Sequence, residues 1–141
     1  MTIYFDITHA IREHDKILEI SWWLPGVKEI WNLESALSTL QNDDYYPSFE
    51  EKLTKLVFSV NKNHAFEDAN KRSSIVLGAY FLEINGYDYC VEKFICEMEN
   101  IAVAVADNKI NQDNLLEIIT SIIYEDSYNE SLQLKIIDLL Q

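Results

Sequence analysis

The chain is poor in turn formers, with three Gly and two Pro in 141 residues. A many-stranded sheet needs turn residues at short intervals, so this scarcity points to helices. Positive charge is scarce as well. Eleven Lys and Arg stand against 24 Asp and Glu, a net charge of -13. Gripping DNA or RNA over a broad face takes clustered cations on phosphates, and an anionic membrane surface asks for the same. Neither nucleic acid nor a membrane is therefore an expected partner; a basic or neutral protein is. The only two cysteines, Cys90 and Cys96, stand among apolar neighbours. They read as reduced thiols suited to a cytosol, not as a disulfide framework. No run approaches the roughly 20 apolar residues needed to span a bilayer. Met1-Thr2-Ile3-Tyr4-Phe5-Asp6 carries neither the basic flank nor the small-residue cleavage site of a signal peptide. A cytoplasmic protein is expected.

What the chain does contain is apolar periodicity. Hydrophobic residues make up 48% and charged residues 25%, the balance of a soluble globular domain. The length suits a single domain over 1–141 with a real core, and there is no repeat, linker or low-complexity run. Asp6 or Thr8 is placed to cap a first helix to about Ile20, which Trp22-Trp23-Leu24-Pro25-Gly26 stops. A second helix is expected near Asn32 to Leu40. Gln41 to Ser48 is polar, aromatic and broken by Pro47, hence a loop or a short hairpin. Ser48 with Glu51 reads as a capping box, and Phe49, Leu53, Leu56, Val57 and Val60 then give one apolar helical face ending near His64. The next helix begins around Asp68 to Asn70 and ends at Asn85-Gly86. It is apolar nearly all round from Ile75 to Ile84, with small Gly78 and Ala79, as a central helix should be. Further helices follow near Glu92 to Ala106, Gln112 to Tyr124 and, as an extra C-terminal helix in 127–141, Tyr128 to Leu140. The fold class is all-α, a compact bundle of about six or seven helices around a central apolar one. The last helix is apolar enough to pack on the core or to make a homodimer contact.

The chemistry concentrates in His64-Ala65-Phe66-Glu67-Asp68-Ala69-Asn70-Lys71-Arg72. Singly, each residue has a plain reading. His64 is placed to cap the preceding helix, Asp68 to cap the next, and Asn70 to sit in a turn. Phe66 can plug into the core, and Lys71 and Arg72 can pair with Glu67, Asp68 or another surface acid. Together they supply a base, an oxygen ligand for a hard cation, an amide and two cations at a helix N-terminus. Free N–H groups and the helix dipole already favour anions there. Those are the parts that hold a nucleotide polyphosphate and move one of its phosphorus atoms.

This segment resembles the Fic/Doc family motif, His-x-Phe-x-Asp/Glu-Gly/Ala-Asn-Gly/Lys-Arg, at every constrained position. Lys71 where Fic enzymes have Gly, and Ile75 where they have a second Arg, place the resemblance in the Doc (death-on-curing) branch. Leu24-Pro25-Gly26, the Tyr46-Pro47-Ser48-Phe49-Glu50-Glu51 entry and the Asn85-Gly86 stop are similar to Doc as well. The resemblance implies a small helical bundle and a transferase that uses ATP, or another nucleoside triphosphate, with Mg²⁺ to modify a protein hydroxyl. In the Doc branch a phosphate is moved, and the known type of target is a translation elongation factor. In the Fic branch AMP is moved. By position, His64 is then the catalytic base, Asp68 the metal ligand, and Phe66 the anchor of the motif. Ala69, Asn70, Lys71 and Arg72 hold phosphate oxygens, by side chains or backbone N–H groups. Asn42 to Ser48 corresponds to the family's flap, with Tyr45 and Tyr46 placed to touch the target segment or simply to sit half-buried in a solvated loop.

Doc toxins are silenced by an antitoxin encoded beside them, so the resemblance implies such a partner. Other family members carry an inhibitory helix, Ser/Thr-x-x-x-Glu-Gly/Asn, and Ser121 to Glu125 is similar except that Asp126 follows. An antitoxin is the expected control. Three other functions stand as alternatives. One is AMP transfer, and another is a catalytically silent binding module on the same fold. The last is a metal phosphohydrolase built on His9, His14-Asp15 and His64, whose spacing is poor.

Overall fold

The computed structural model describes residues 1–5, 37–62 and 70–141, with Asn70 described in its backbone. The expected first helix, the Trp22 to Gly26 stop and most of the second helix lie outside the described residues. Residues 37–39 are helical, and turns at 40 and 41 close that segment. Five helices follow: α1 (Phe49–Lys62), α2 (Asn70–Ile84), α3 (Val91–Ala106), α4 (Gln112–Tyr124) and α5 (Glu130–Leu140), with a short 3₁₀ turn at Asp88–Cys90 before α3. Among the described residues there is no strand, and the fold is all-α. The segment 41–48, for which a hairpin was open, is a turn-rich loop held by an Asx-type contact, Asp44 N–H to Asn42 Oδ1 at 2.9 Å. No helix among the described residues is long and apolar enough to cross a membrane.

Local signals set the helix ends. Ser48 Oγ accepts from Glu51 N–H at 3.2 Å, and the Ser48 N–H donates to Glu51 Oε1 at 3.3 Å, the reciprocal capping box that the sequence predicts. At the end of α2, Gly86 takes φ +84°, which a side chain would resist. The turn it permits lets Tyr87 N–H reach Leu82 O at 2.9 Å and Gly86 N–H reach Glu83 O at 3.2 Å, a Schellman ending. Asn129 caps α5 by accepting from Leu132 N–H at 2.8 Å, so this helix starts after Asn129 and not at Tyr128.

α2 is the central helix because it can be approached closely. A Cβ on Gly78 would meet Phe94 Cζ at 2.8 Å and Val57 Cγ2 at 2.9 Å, so α1 and α3 both lean on the hydrogen of this glycine. Leu77, Phe81 and Leu82 are buried from the same helix, beside Leu53, Leu56, Val57 and Val60 of α1, Phe94 and Met98 of α3, and Leu115, Ile118 and Ile119 of α4. The N-terminal residues are tied to the far end of α2. Asn85 Nδ2 donates to Ile3 O at 2.9 Å, Ile3 N–H donates back to Asn85 Oδ1 at 2.6 Å, and Phe5 is buried edge-on to Tyr80.

The last helix has two faces. Leu132 and Ile136 pack inward, and Lys135 reaches Glu117 of α4 at 3.3 Å. Leu134 and Ile137 stay 61% and 56% exposed. Leu139 and Leu140 are half-buried against the core, so packing accounts for four of its six apolar residues.

Candidate active site

α1 and α2 form an antiparallel pair. Phe49, the first residue of α1, stacks on Phe81 near the end of α2 at 5.1 Å and on Tyr87 just beyond it at 4.4 Å. The start of α2 therefore lies at the Lys62 end of α1. Of the motif, His64, Phe66, Asp68 and Ala69 lie outside the described residues, whereas Asn70, Lys71 and Arg72 open α2 in its first turn.

That first turn differs electrostatically from its counterparts. α1 opens with Glu50 and Glu51, α3 with Glu92, α4 with Asp113 and α5 with Glu130. Each places an acid against the positive end of a helix dipole, which is favourable. α2 has no acid in its first turn, and both Lys71 and Arg72 are exposed there. Two cations at a helix N-terminus cost roughly 0.3–1 kcal/mol each in the absence of an anion. Bound phosphate oxygens would reverse that sign, since a helix N-terminus favours anions. Ser74 turns its hydroxyl back to Lys71 O at 2.7 Å. Ser73, buried beside it, has a hydroxyl oxygen with no hydrogen-bond partner. Ile75, where a second cation would distinguish the Fic branch, is half-buried and packed against the core.

The loop 41–48 lies beside α1. Tyr45 is 73% exposed, and Tyr46 is half-buried with Lys55 Nζ 5.9 Å from its ring centroid. Both tyrosines line a cavity of about 180 Å³, together with Glu51 and Thr54 of α1 and Gln112, Asp113 and Leu116 of α4. This pocket sits at the beginning of α1, the end away from Lys71 and Arg72, with α4 as its opposite wall.

The sequence reading missed Lys52. Its signal was a charge set in the apolar stripe of α1, between Phe49 and Leu56 at helical spacing. It is 2% exposed, and its ammonium donates to Leu40 O at 3.0 Å and to Asp43 Oδ1 at 2.6 Å.

Ser121 and Glu125 do not sit where an inhibitory helix would need them. Ser121 Oγ donates to Glu125 Oε1 at 2.6 Å, closing the end of α4 on itself. Tyr124 OH donates to Glu50 Oε1 at 3.1 Å, so this end of α4 meets the beginning of α1. Lys71 and Arg72 are at the other end of α1, and its 14 residues span roughly 20 Å. As for metal chemistry, His9, His14 and Asp15 lie outside the described residues. Among the described residues no group of three His, Cys, Asp or Glu could hold an ion.

Cys90 is buried at the start of α3 and Cys96 is exposed, both as free thiols. Burial, the largest influence on it, pushes the Cys90 thiol up and keeps it protonated.

Comparison with known proteins agrees with the motif. The family model described as "Fic/DOC family" matches residues 4–82, more than half of the chain. A curated relative, Toxin Doc of Mycolicibacterium smegmatis, is 30% identical over 93 residues, which cover 63% of this chain and 72% of the relative. No solved structure matches at a significant level. The helical fold, the motif in the sequence and these two matches establish that the chain belongs to the Fic/DOC family.

Proposed function

We propose that the chain is a Doc-type toxin acting as a protein kinase, which transfers a phosphate from ATP to a Ser or Thr hydroxyl of a target protein. The observation that carries this reading is the exposed Lys71–Arg72 pair in the acid-free first turn of α2. Lys71 in place of Gly and Ile75 in place of a second Arg favour phosphate over AMP transfer. Lys71 fills space that Gly leaves open in a Fic enzyme, which favours a different nucleotide orientation. A translation elongation factor is the target type that the Doc branch suggests, and the relative's name supports an antitoxin partner.

The residues at hand fit a polyphosphate. Lys71 and Arg72 supply charge, the first turn of α2 would supply N–H groups, and the Ser73 hydroxyl has hydrogen-bonding capacity unused. Asp68 would hold Mg²⁺, a hard cation that prefers oxygen ligands and that spreads negative charge from the phosphates. In the reaction, His64 takes the proton of the target hydroxyl, and that oxygen forms a bond to the γ-phosphorus. The bond from this phosphorus to the bridging oxygen breaks, and ADP leaves with the electron pair. Lys71, Arg72 and Asn70 neutralise oxygens as charge shifts toward the leaving group, which is where preorganised donors lower a barrier most. Phe66 keeps the motif anchored.

Mass spectrometry of proteins from cells expressing the wild type or His64→Ala tests the reading. A phosphate on a Ser or Thr of one protein, present only with the wild type, is expected. An adenylyl adduct there would instead assign the chain to AMP transfer. The absence of any adduct, together with absence of nucleotide binding, would favour the silent binding module.

A further inference from the structure

Among the described residues three buried polar atoms lack a hydrogen-bond partner: Asn61 Oδ1, Ser73 Oγ and Tyr128 OH. Two of the three bracket the motif in the chain. Asn61 comes three residues before His64, and Ser73 directly follows Arg72. An unpaired buried acceptor costs free energy, and natural proteins tolerate such costs chiefly where function asks for them.

Asn61 is 5% exposed and lies on the buried side of α1, one turn beyond Val57. A leucine would suit that position as packing. The carboxamide instead donates from Nδ2 to Ala102 O of α3 at 3.0 Å. The next residue, Lys62, ends α1, and its Nζ donates to Asn108 Oδ1 in the corner between α3 and α4. Asn108 has a left-handed backbone, φ +63°. Its N–H reaches Val105 O at 3.1 Å and Lys109 N–H reaches Ala104 O at 2.9 Å, the same Schellman ending that Gly86 gives α2. Glycine is the residue that this conformation favours. Asparagine adds a side-chain oxygen, and Lys62 uses it. Two consecutive residues of α1 are thus tied to the end of α3, one from the buried side and one from the surface.

From Lys62 the chain runs two residues to His64, a reach of at most about 7 Å. A general base works only within hydrogen-bond reach of the proton it takes. A misplacement of about 1 Å can cost a rate about a hundredfold.

We infer that Asn61 and Lys62 are positioning residues for His64: held by Ala102 O and Asn108 Oδ1, they fix the point from which the chain carries the base to the target hydroxyl. The inference rests on the transferase reading above. It predicts that this clamp governs the chemical step and leaves ATP affinity, which belongs to the start of α2, alone.

The test uses three variants of the full chain. Asn61→Leu keeps the core filled. Asn108→Gly keeps the left-handed turn and removes only the side chain, and Asn108→Asp restores the acceptor. Each is given γ-labelled ATP, Mg²⁺ and cell lysate. The rate of protein labelling at saturating ATP, the KM for ATP and the urea midpoint are read. Native-state cleavage by trypsin after Lys62 is followed by mass spectrometry, with cleavage after exposed Lys135 as the internal reference. Asn61→Leu should lower the labelling rate about tenfold and Asn108→Gly about threefold, since a surface hydrogen bond is worth less than a buried one. Cleavage after Lys62 should speed up by about the same factors. The KM for ATP and the urea midpoint should hold in both; Asn61→Leu loses one hydrogen bond and one unpaired acceptor together. Asn108→Asp should recover the wild-type rate. A wild-type labelling rate in Asn61→Leu would overturn the inference alone, as would unchanged cleavage after Lys62. So would losses of rate that track a lower urea midpoint and are not recovered by Asn108→Asp, because the clamp would then serve stability only. A wild type that labels no protein would overturn the transferase reading and this inference with it.

Discussion

Tyr124 donates its hydroxyl proton to Glu50 at 3.1 Å and thereby fixes the end of α4 against the beginning of α1. The contact decides what the Ser121 to Glu125 segment can do. Its carboxylate is turned back onto Ser121, one helix length away from the cations of α2. Removing it should release nothing. Glu125→Ala is expected to transfer phosphate at the wild-type rate in the absence of any antitoxin. An increase of tenfold or more in kcat would show that the segment does restrain the site.

Lys71 separates stability from function. A cation in the first turn opposes the helix dipole when no anion is bound. Lys71→Ala should then raise the stability of the nucleotide-free protein by about 0.3–1 kcal/mol, read as a higher urea midpoint with an unchanged slope. The same substitution should weaken ATP binding about tenfold or more, since a hydrogen bond to a charged group is lost. A variant that is both less stable and unimpaired in binding would place Lys71 in a surface ion pair instead.

Gly78 has no room for a methyl group. Phe94 and Val57, which a Cβ would touch at 2.8 and 2.9 Å, are themselves fully buried and cannot step aside cheaply. Gly78→Ala should destabilise the protein by about 1–3 kcal/mol through overpacking, despite alanine's better helix propensity. Denaturant unfolding of the two proteins measures it directly. A stabilised variant would mean that α1 and α3 can separate without loss.

The two thiols should differ in reactivity. Burial holds Cys90 in its protonated form, and the thiolate is the reacting species. At mildly alkaline pH an alkylating reagent should modify Cys96 first, with Cys90 reacting only after denaturant is added. Equal rates for both in the native protein would contradict the packing at the start of α3.

Much of this fold is legible in the sequence because its signals are local. Ser48 with Glu51 announces α1, Asn85-Gly86 ends α2, and α4 falls on Gln112–Tyr124 as its periodicity predicts. The start of α5 is shifted because Asn129 outcompetes Tyr128 as the cap. The 3₁₀ turn at Asp88–Cys90 is too short to show a period. The motif that defines the family is likewise contiguous, and a contiguous motif needs no fold to be recognised. What the sequence does not reveal depends on which helix ends meet. The burial of Lys52 depends on Leu40, Asp43 and Tyr4 closing over it, the cavity between Tyr45 and Asp113 on α1 meeting α4, and the placement of Glu125 away from Arg72 on the antiparallel setting of α1 against α2. No local pattern encodes these meetings.

The measurement closest to the central claim uses ATP labelled in separate reactions at the γ and α phosphates, with Mg²⁺ and cell lysate, for the wild type and His64→Ala. A protein band labelled from γ alone, lost in His64→Ala, is the expected result. A band labelled from the α phosphate would contradict it, and would mean that Lys71 and Ile75 do not select phosphate transfer over AMP transfer.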